Sequence, residues 1–373
     1  MNDPIMPTAT VRQNTSAEIN PAAGARNLLE NCAGASSGDR LLIVAEDPEL
    51  GWYDAEAPAA VAAQAEAMGI ATTLLNVGGP TADGVLPATA AEAMASHDQT
   101  VFFARLGDQA RFRPQLAPRP PVMSYARTAD LLGSTYGRID YRAFLDLKNT
   151  LNKIYDDAGQ IRLTCPLGTD LSGSVITDKN APEDVSIKRF PLGIYKPLPN
   201  DGFSGHVALS RYLVSTGSRS YDPSSALFDG VVFAQVDGTR IVSFDGPKPA
   251  VDIINAHYQS VSKLFDIEPG FVHSWHAGMH PGCFSPEPAS ADPDRWGNTA
   301  FQNPRVLHFH TCGRYPPGEI SWTIVDPTIE IDGAALWRQG HLAIDVWPSL
   351  GGVLAKWPPL AQLFDAQIGD IRY

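Results

Sequence analysis

The chain has 373 residues, of which 44% are hydrophobic and 18% are charged, and its formal net charge is −13. This acidic balance argues against non-specific nucleic-acid binding, which depends on neutralising phosphates with lysine and arginine. No apolar run approaches the ~20 residues of a membrane-spanning helix, and residues 1–20 are polar where a signal peptide would be apolar. The length predicts about two domains, in a cytoplasmic protein with no nucleic-acid or membrane partner.

Strand and helix patterns alternate in the N-terminal part of the chain, after a polar segment (residues 1–25) that we predict to be a flexible arm. The predicted strands are 40–45, 71–77, 100–106 and 121–124, and the predicted helices are 59–68, 92–96 and 141–158. Buried strands that alternate with helices predict an α/β domain over residues 26–158. Its sheet is expected to be parallel and doubly wound, of flavodoxin-like type.

Strand-like runs separated by glycine, proline and aspartate turns dominate the chain from residue 159 onwards. The runs are 161–164, 206–209, 230–235, 239–244, 306–311, 321–325 and 328–331, with one helical pattern at 251–265. This pattern predicts a β-rich α+β domain, partly antiparallel, over residues 159–373. The expected fold class is therefore α/β, with a doubly wound parallel-sheet domain followed by a β-rich domain.

Histidines are concentrated in one part of this second domain. Five of the nine are His273, His276, His280, His308 and His310. Residues i and i+2 of a strand share a face, so His308 and His310 are expected to project together. Two histidines with a carboxylate such as Glu319, which follows a Gly-Pro turn, suit non-haem iron or zinc. There are two alternatives. A histidine could act as general acid or base without a metal, or the pair could be half-buried and purely structural.

Aromatic and charged residues near these histidines are candidates for substrate binding. Trp275 and Trp322 could wall a pocket for a flat ring, or they could be ordinary core residues. Arg314 could bind a substrate carboxylate in bidentate geometry. Asp170, in a Gly-Thr-Asp turn, could orient a histidine or the substrate, or it could cap the turn.

Several segments resemble the aminopeptidase T family of metallopeptidases and its relatives, which include 2,5-dihydroxypyridine 5,6-dioxygenase. The segments are DRLLIVAE at 39–46, IRLTCPLGTDL at 161–171, FPLGIYKPLPN at 190–200, GMHPG at 278–282, VLHFHTCG at 306–313 and TIEIDG at 328–333. The resemblance implies that His308 binds a metal, that a histidine near His273 is a second ligand, and that the chain forms a homodimer.

The chain departs from the family pattern at most of the metal-binding positions. The family's His-x-Asp pair falls at Ser321, Trp322 and Thr323, and one peptidase glutamate falls at Ile194. The stretch from His273 to His276 replaces the second peptidase glutamate. Because a two-metal centre needs several carboxylates to neutralise its ions, the sequence argues against peptide hydrolysis by such a centre.

From these observations we predict an enzyme for a small, ring-containing molecule, most simply a ring-cleaving dioxygenase with one metal. Its metal ligands are expected among His273 (or His276), His308, His310 and Glu319, with Fe(II) favoured and Zn or Mn, or no metal, as alternatives. The predicted catalytic residues are His276, His310 and Glu319. A hydrolase of a small amide, lactam or peptide bond, and a non-catalytic small-molecule binder, remain open because a fold alone does not define a function.

Overall fold

The computed structural model describes residues 19–81, 84–111, 117–176, 186–215, 221–312, 318–366 and 368–373. In its N-terminal part the strands are β1 (Arg40–Glu46), β2 (Ala71–Val77), β3 (Gln99–Phe103) and β4 (Val122–Ser124). The helices are α1 (Pro21–Arg26), α2 (Glu56–Ala67), α3 (Ala88–Ser96), α4 (Leu106–Ala110), α5 (Ala129–Gly133), α6 (Thr135–Arg138) and α7 (Tyr141–Asp156), with a π-helical turn at Asn27–Ala33 and a 3₁₀ turn at Pro48–Leu50. Of the predicted arm, residues 1–18 lie outside the described residues, and α1 begins within the remainder.

The C-terminal part is rich in strands, as its turn pattern predicts. They are β5 (Ile161–Thr164), β6 (Asp170–Gly173), β7 (Lys188–Phe190), β8 (Leu198–Pro199), β9 (Phe203–Ser215), β10 (Ser225–Asp237), β11 (Arg240–Asp245), β12 (Val272–Ala277), β13 (Val306–Thr311), β14 (Ile320–Val325), β15 (Thr328–Ile331), β16 (Ala334–Arg338) and β17 (His341–Leu342). The helices are α8 (Lys248–Phe265), α9 (Pro293–Ala300), α10 (Pro348–Lys356) and α11 (Pro358–Asp365). The sequence patterns indicated α8 but not the three later helices. Among the described residues, no helix combines the length and hydropathy needed to cross a membrane.

The strands form two sheets, which confirms the predicted fold class. The parallel sheet has the order β2-β1-β3-β4-β7, and its first four strands follow the flavodoxin-like, doubly wound order. The antiparallel sheet has the order β17-β16-β15-β5-β6-β9-β14-β13-β12-β8, with β10 and β11 added beside β9. Strand β7 belongs to the parallel sheet although it lies beyond residue 158, so the chain returns to the first sheet after starting the second.

A buried ion pair lies at the carboxyl ends of β1 and β3, where the strand order of the parallel sheet reverses. The side chain of Glu46 is fully buried, and that of Arg105 is 13% exposed. Arg105 Nε and Nη2 donate to Glu46 Oε1 at 2.8 and 2.6 Å, and the guanidinium lies 4.2 Å from the centroid of the Trp52 ring. Ligands of doubly wound folds commonly bind in this crevice, but here the chain fills it with its own side chains.

Replacing Glu46 with alanine is expected to lower the free energy of unfolding by about 3–5 kcal/mol, because Arg105 would be left as an unpaired buried charge. Urea denaturation followed by circular dichroism measures the loss. Lys248→Ala is the matched control, since it breaks an ion pair with Asp252 whose side chains are 83% and 59% exposed, and such pairs contribute little. Equal losses in the two variants would contradict the assigned role of the Glu46 pair.

Candidate metal centre

Three histidines converge on one face of the antiparallel sheet. His276 of β12 lies directly opposite His308 of β13, and His310 follows two residues later on the same face. One ring nitrogen from each histidine lies within 4.8 Å of those of the other two. The Nε2 atoms of His276 and His310 are 3.2 Å apart. We call this set the three-histidine cluster.

Burial keeps the three imidazoles neutral. His276 and His308 are 2% and 4% exposed, and the His310 side chain is 12% exposed. Because burial penalises the charged form, it lowers the pKa of His276 to about 3 and the pKa of His308 and His310 well below the ordinary value. Neighbouring histidines and the cations Arg111 and Arg189 lower these pKa values further. Neutral imidazole is the form that ligates a metal.

Neighbouring groups orient the rings of the cluster. His276 Nδ1 lies 3.1 Å from the Tyr195 carbonyl oxygen. Since that oxygen can only accept, Nδ1 donates the proton and the lone pair of Nε2 points at the cluster. His310 Nδ1 lies 3.7 Å from Glu319 Oε1, and His308 stacks on Phe301 with ring centroids 4.2 Å apart. Carbonyls and carboxylates behind ligating histidines commonly fix the ring in this way.

The cluster fits one divalent metal ion. Two nitrogens that each bind one ion at 2.0–2.1 Å are about 3.3 Å apart at a tetrahedral angle, close to the 3.2 Å between His276 and His310. His308 Nδ1 is buried and has no hydrogen-bond partner within the described residues, and such an atom in a native protein usually has a functional explanation. Three protein ligands with an open position are typical of catalytic rather than structural zinc sites.

The structure changes the predicted set of ligands in two places. His308 and His310 are brought together as predicted, but their partner is His276, which was predicted as a catalytic residue. His273 lies outside the three-histidine cluster, because residues three apart on a strand point to opposite faces and His276 is the one that faces His308. Glu319, which was predicted as a ligand, is buried behind His310 on the Nδ1 side of the ring.

The predicted substrate-binding residues lie elsewhere. Trp275 and Trp322 are fully buried. Trp275 alternates with His276 on β12, and Trp322 lies between Ser321 and Thr323, which are opposite the histidines of β13, so both rings lie on the other face and pack on Phe309. This placement matches the alternative that they are core residues. Asp170 forms a half-exposed bidentate ion pair with Arg162. Arg314 lies outside the described residues.

Sequence reasoning missed the groups that surround the cluster from the parallel sheet. Arg111 follows α4, Arg189 lies on β7, and the Tyr195 carbonyl comes from the segment after β7. Nothing in their spacing along the sequence relates them to the histidines. Only the return of the chain to the parallel sheet at β7 brings them near.

The fold and the three-histidine cluster together define an α/β protein with a candidate mononuclear metal centre. Among solved structures, the chain is similar to 2,5-dihydroxypyridine dioxygenase from Pseudomonas putida KT2440, with a TM-score of 0.56, 9% identity, and coverage of 87% of this chain and 98% of that one. It is also similar to AmpT from Thermus thermophilus, with a TM-score of 0.51, 11% identity and the same coverages. No family model and no curated sequence matches. The two structures confirm the expected resemblance at the level of the fold.

Metal binding is expected to depend on His276 and not on His273. Loss of one ligand from His276→Ala should weaken Zn²⁺ binding by more than about 100-fold, because loss of an outer partner alone costs 10–100-fold. Isothermal titration of the metal-free protein measures the affinity. The neighbouring variant His273→Ala should bind as the wild type does, and the reverse ranking would refute the ligand assignment.

The cluster is also expected to make folding stability depend on pH. The folded-state pKa of His276 is about 3, below its value of ~6.5 in an unfolded chain. The unfolded state therefore binds more protons between these values, and the free energy of unfolding falls as the pH drops below about 6.5. His276→Gln should make this fall shallower, whereas His341→Gln, an exposed control, should not. Denaturant titrations at pH 7 and pH 5 give the free energy of unfolding of each variant. An equal loss of this free energy between the two pH values in His276→Gln and the wild type would contradict the burial effect.

Proposed function

We propose that this protein is a metal-dependent enzyme that cleaves the ring of a small molecule with dioxygen. The observation that carries the proposal is the convergence of three neutral imidazoles, from His276, His308 and His310, on one point of the antiparallel sheet. A single divalent ion is the ligand that such a nitrogen set best fits. The similarity to a structure described as a dioxygenase supports this reading.

Each residue of the site has an assigned task. Bound to the three imidazoles, Fe(II) would supply the electron transfer to dioxygen that ring cleavage requires. The Tyr195 carbonyl holds the proton on His276 Nδ1, and Glu319 lies behind His310 with its Oε1 3.7 Å from Nδ1. His273 lies outside the cluster, and we assign proton transfer to and from the substrate to this residue.

The position of the missing family ligands supports the proposal. Ser321 and Thr323 stand where the family carries its His-x-Asp pair. They lie directly opposite His310 and His308 on the neighbouring strand. Their hydroxyl oxygens are buried and have no hydrogen-bond partner within the described residues. We infer that histidines on β13 and β12, the two strands next in order after β14, take the place of the family's pair on β14.

The same geometry argues against a two-metal peptidase. Two adjacent ions need bridging carboxylates to screen their repulsion. The three ligand positions here are all imidazoles, and the neighbouring carboxylate of Glu319 faces His310 Nδ1. The cluster therefore supports one ion and not two.

A hydrolase with one metal is the second candidate. Three histidines are also the ligand set of a well-known catalytic zinc site, in which the ion lowers the pKa of bound water to about 7. Because an oxygenase needs a redox-active ion and dioxygen whereas a hydrolase needs neither, the two functions are separable by measurement.

Metal content and oxygen dependence test the proposal. The protein should be purified anaerobically without a histidine tag, and elemental analysis is expected to find close to one iron per chain. With hydroxylated pyridines as substrates, an oxygen electrode should record dioxygen uptake that stops under anaerobic conditions. His308→Ala and His310→Ala should abolish it, and His273→Ala should retain the iron but slow turnover. Zinc with oxygen-independent turnover would favour the hydrolase, and activity of the His308→Ala His310→Ala double variant would refute the site.

A further inference from the structure

Two arginines of the parallel sheet lie on the same face of that sheet. Arg189 on β7 is in register with Met123 on β4, and paired residues of neighbouring strands share a face. Helix α4 covers this face closely, because a Cβ atom on its residue Gly107 would come within 2.4 Å of Met123 Sδ. Arg111 is the residue that ends α4. Both guanidinium groups therefore arise on the face covered by α4.

Hydrogen bonds hold the two arginine segments together. Ser186, which precedes β7, donates from its backbone N and its Oγ to the Arg111 carbonyl oxygen at 2.8 and 3.0 Å. Asp108 lies 3.8 Å from the Arg111 guanidinium and accepts from the Tyr125 hydroxyl at 2.8 Å. Arg111 is thus held in place by neighbours that are themselves buried.

The chain connects Arg189 directly to the three-histidine cluster. Between Arg189 and Tyr195, whose carbonyl accepts from His276 Nδ1, lie five residues. Ile194 forms a β-bridge with Gly278 just after β12, and Met279 N donates to Gly193 O at 2.8 Å. These backbone contacts place the segment that follows Arg189 against the end of β12, which carries His276.

The two arginines differ in the partners that the described residues give them. Asp108 balances Arg111, but Arg189 Nε is buried and has no hydrogen-bond partner among the described residues. A buried donor without a partner costs free energy, and a divalent ion on the cluster would add two further positive charges. An anionic group between the arginine pair and the cluster would satisfy the donor and offset this charge.

We propose that Arg111 and Arg189 form a carboxylate subsite beside the three-histidine cluster, so that the substrate is a small ring carrying a carboxylate. The inference deepens the proposed function and rests on it. The planar fork of arginine donors matches the two oxygens of a carboxylate. The proposal gives Arg111 and Arg189 the role that was predicted for Arg314. The expected substrate therefore differs from 2,5-dihydroxypyridine, which carries no carboxylate.

Calorimetric binding to the full-length, metal-free protein at fixed ionic strength tests the subsite. The probes are nicotinate, picolinate and benzoate, each compared with its uncharged amide. At least one acid is expected to bind about tenfold more tightly than its amide, as charge-assisted hydrogen bonds predict. Arg189→Gln should remove this preference and Arg189→Lys should restore part of it. Arg338→Gln, whose side chain is 53% exposed, is the control and should keep it.

The outcomes separate the subsite from the metal centre. Acids that bind no better than their amides, or an undiminished preference in Arg189→Gln with unchanged melting temperature, would overturn the subsite even if iron binds. A preference for acids that depends on Arg189, in a protein that binds no metal, would support the subsite while refuting the proposed function. Inorganic phosphate that displaces every acid at lower concentration would overturn the assignment to a carboxylate.

Discussion

The antiparallel register between β12 and β13 is the constraint on which the site depends. This register sets His276 opposite His308 and places His310 on the same face. Because side chains alternate along a strand, a slip of β12 by one residue would turn His276 to the opposite face, away from His308 and His310. Trp275 and Phe309 resist such a slip, since their buried rings pack together on the other face. The core side of the sheet therefore fixes the geometry of the candidate metal centre.

Burial at this register has an energetic cost that the proposed function would account for. The three imidazoles are kept neutral by desolvation, and several polar atoms around them, including His308 Nδ1 and Ser321 Oγ, have no partner within the described residues. Buried polar atoms without hydrogen-bond partners are expected mainly at functional sites. A metal ion and an anionic substrate, as proposed, would supply the missing interactions.

The two sheets contribute different chemistry to the site. In the proposed site the antiparallel sheet would supply neutral nitrogen ligands, whereas β7 and the residue after α4 would supply the guanidinium groups of Arg189 and Arg111. Strand β7 joins the two contributions, because the chain that leaves it reaches Tyr195 and β12 within a few residues. The fold that this chain shares with the 2,5-dihydroxypyridine dioxygenase and AmpT structures thus carries a cluster of three histidines here.

By itself, the sequence determined the fold class, most strand and helix positions and the pair His308 and His310, because these depend on local hydrophobic periodicity and on the two-residue repeat of a strand. It did not determine that His276 and not His273 joins the pair, since that depends on the pairing register between β12 and β13, which has no local sequence signal. It also did not reveal Arg111, Arg189 or the core placement of Trp275 and Trp322. Those were decided by the tertiary structure, because contacts between residues distant in sequence leave no periodicity in the chain.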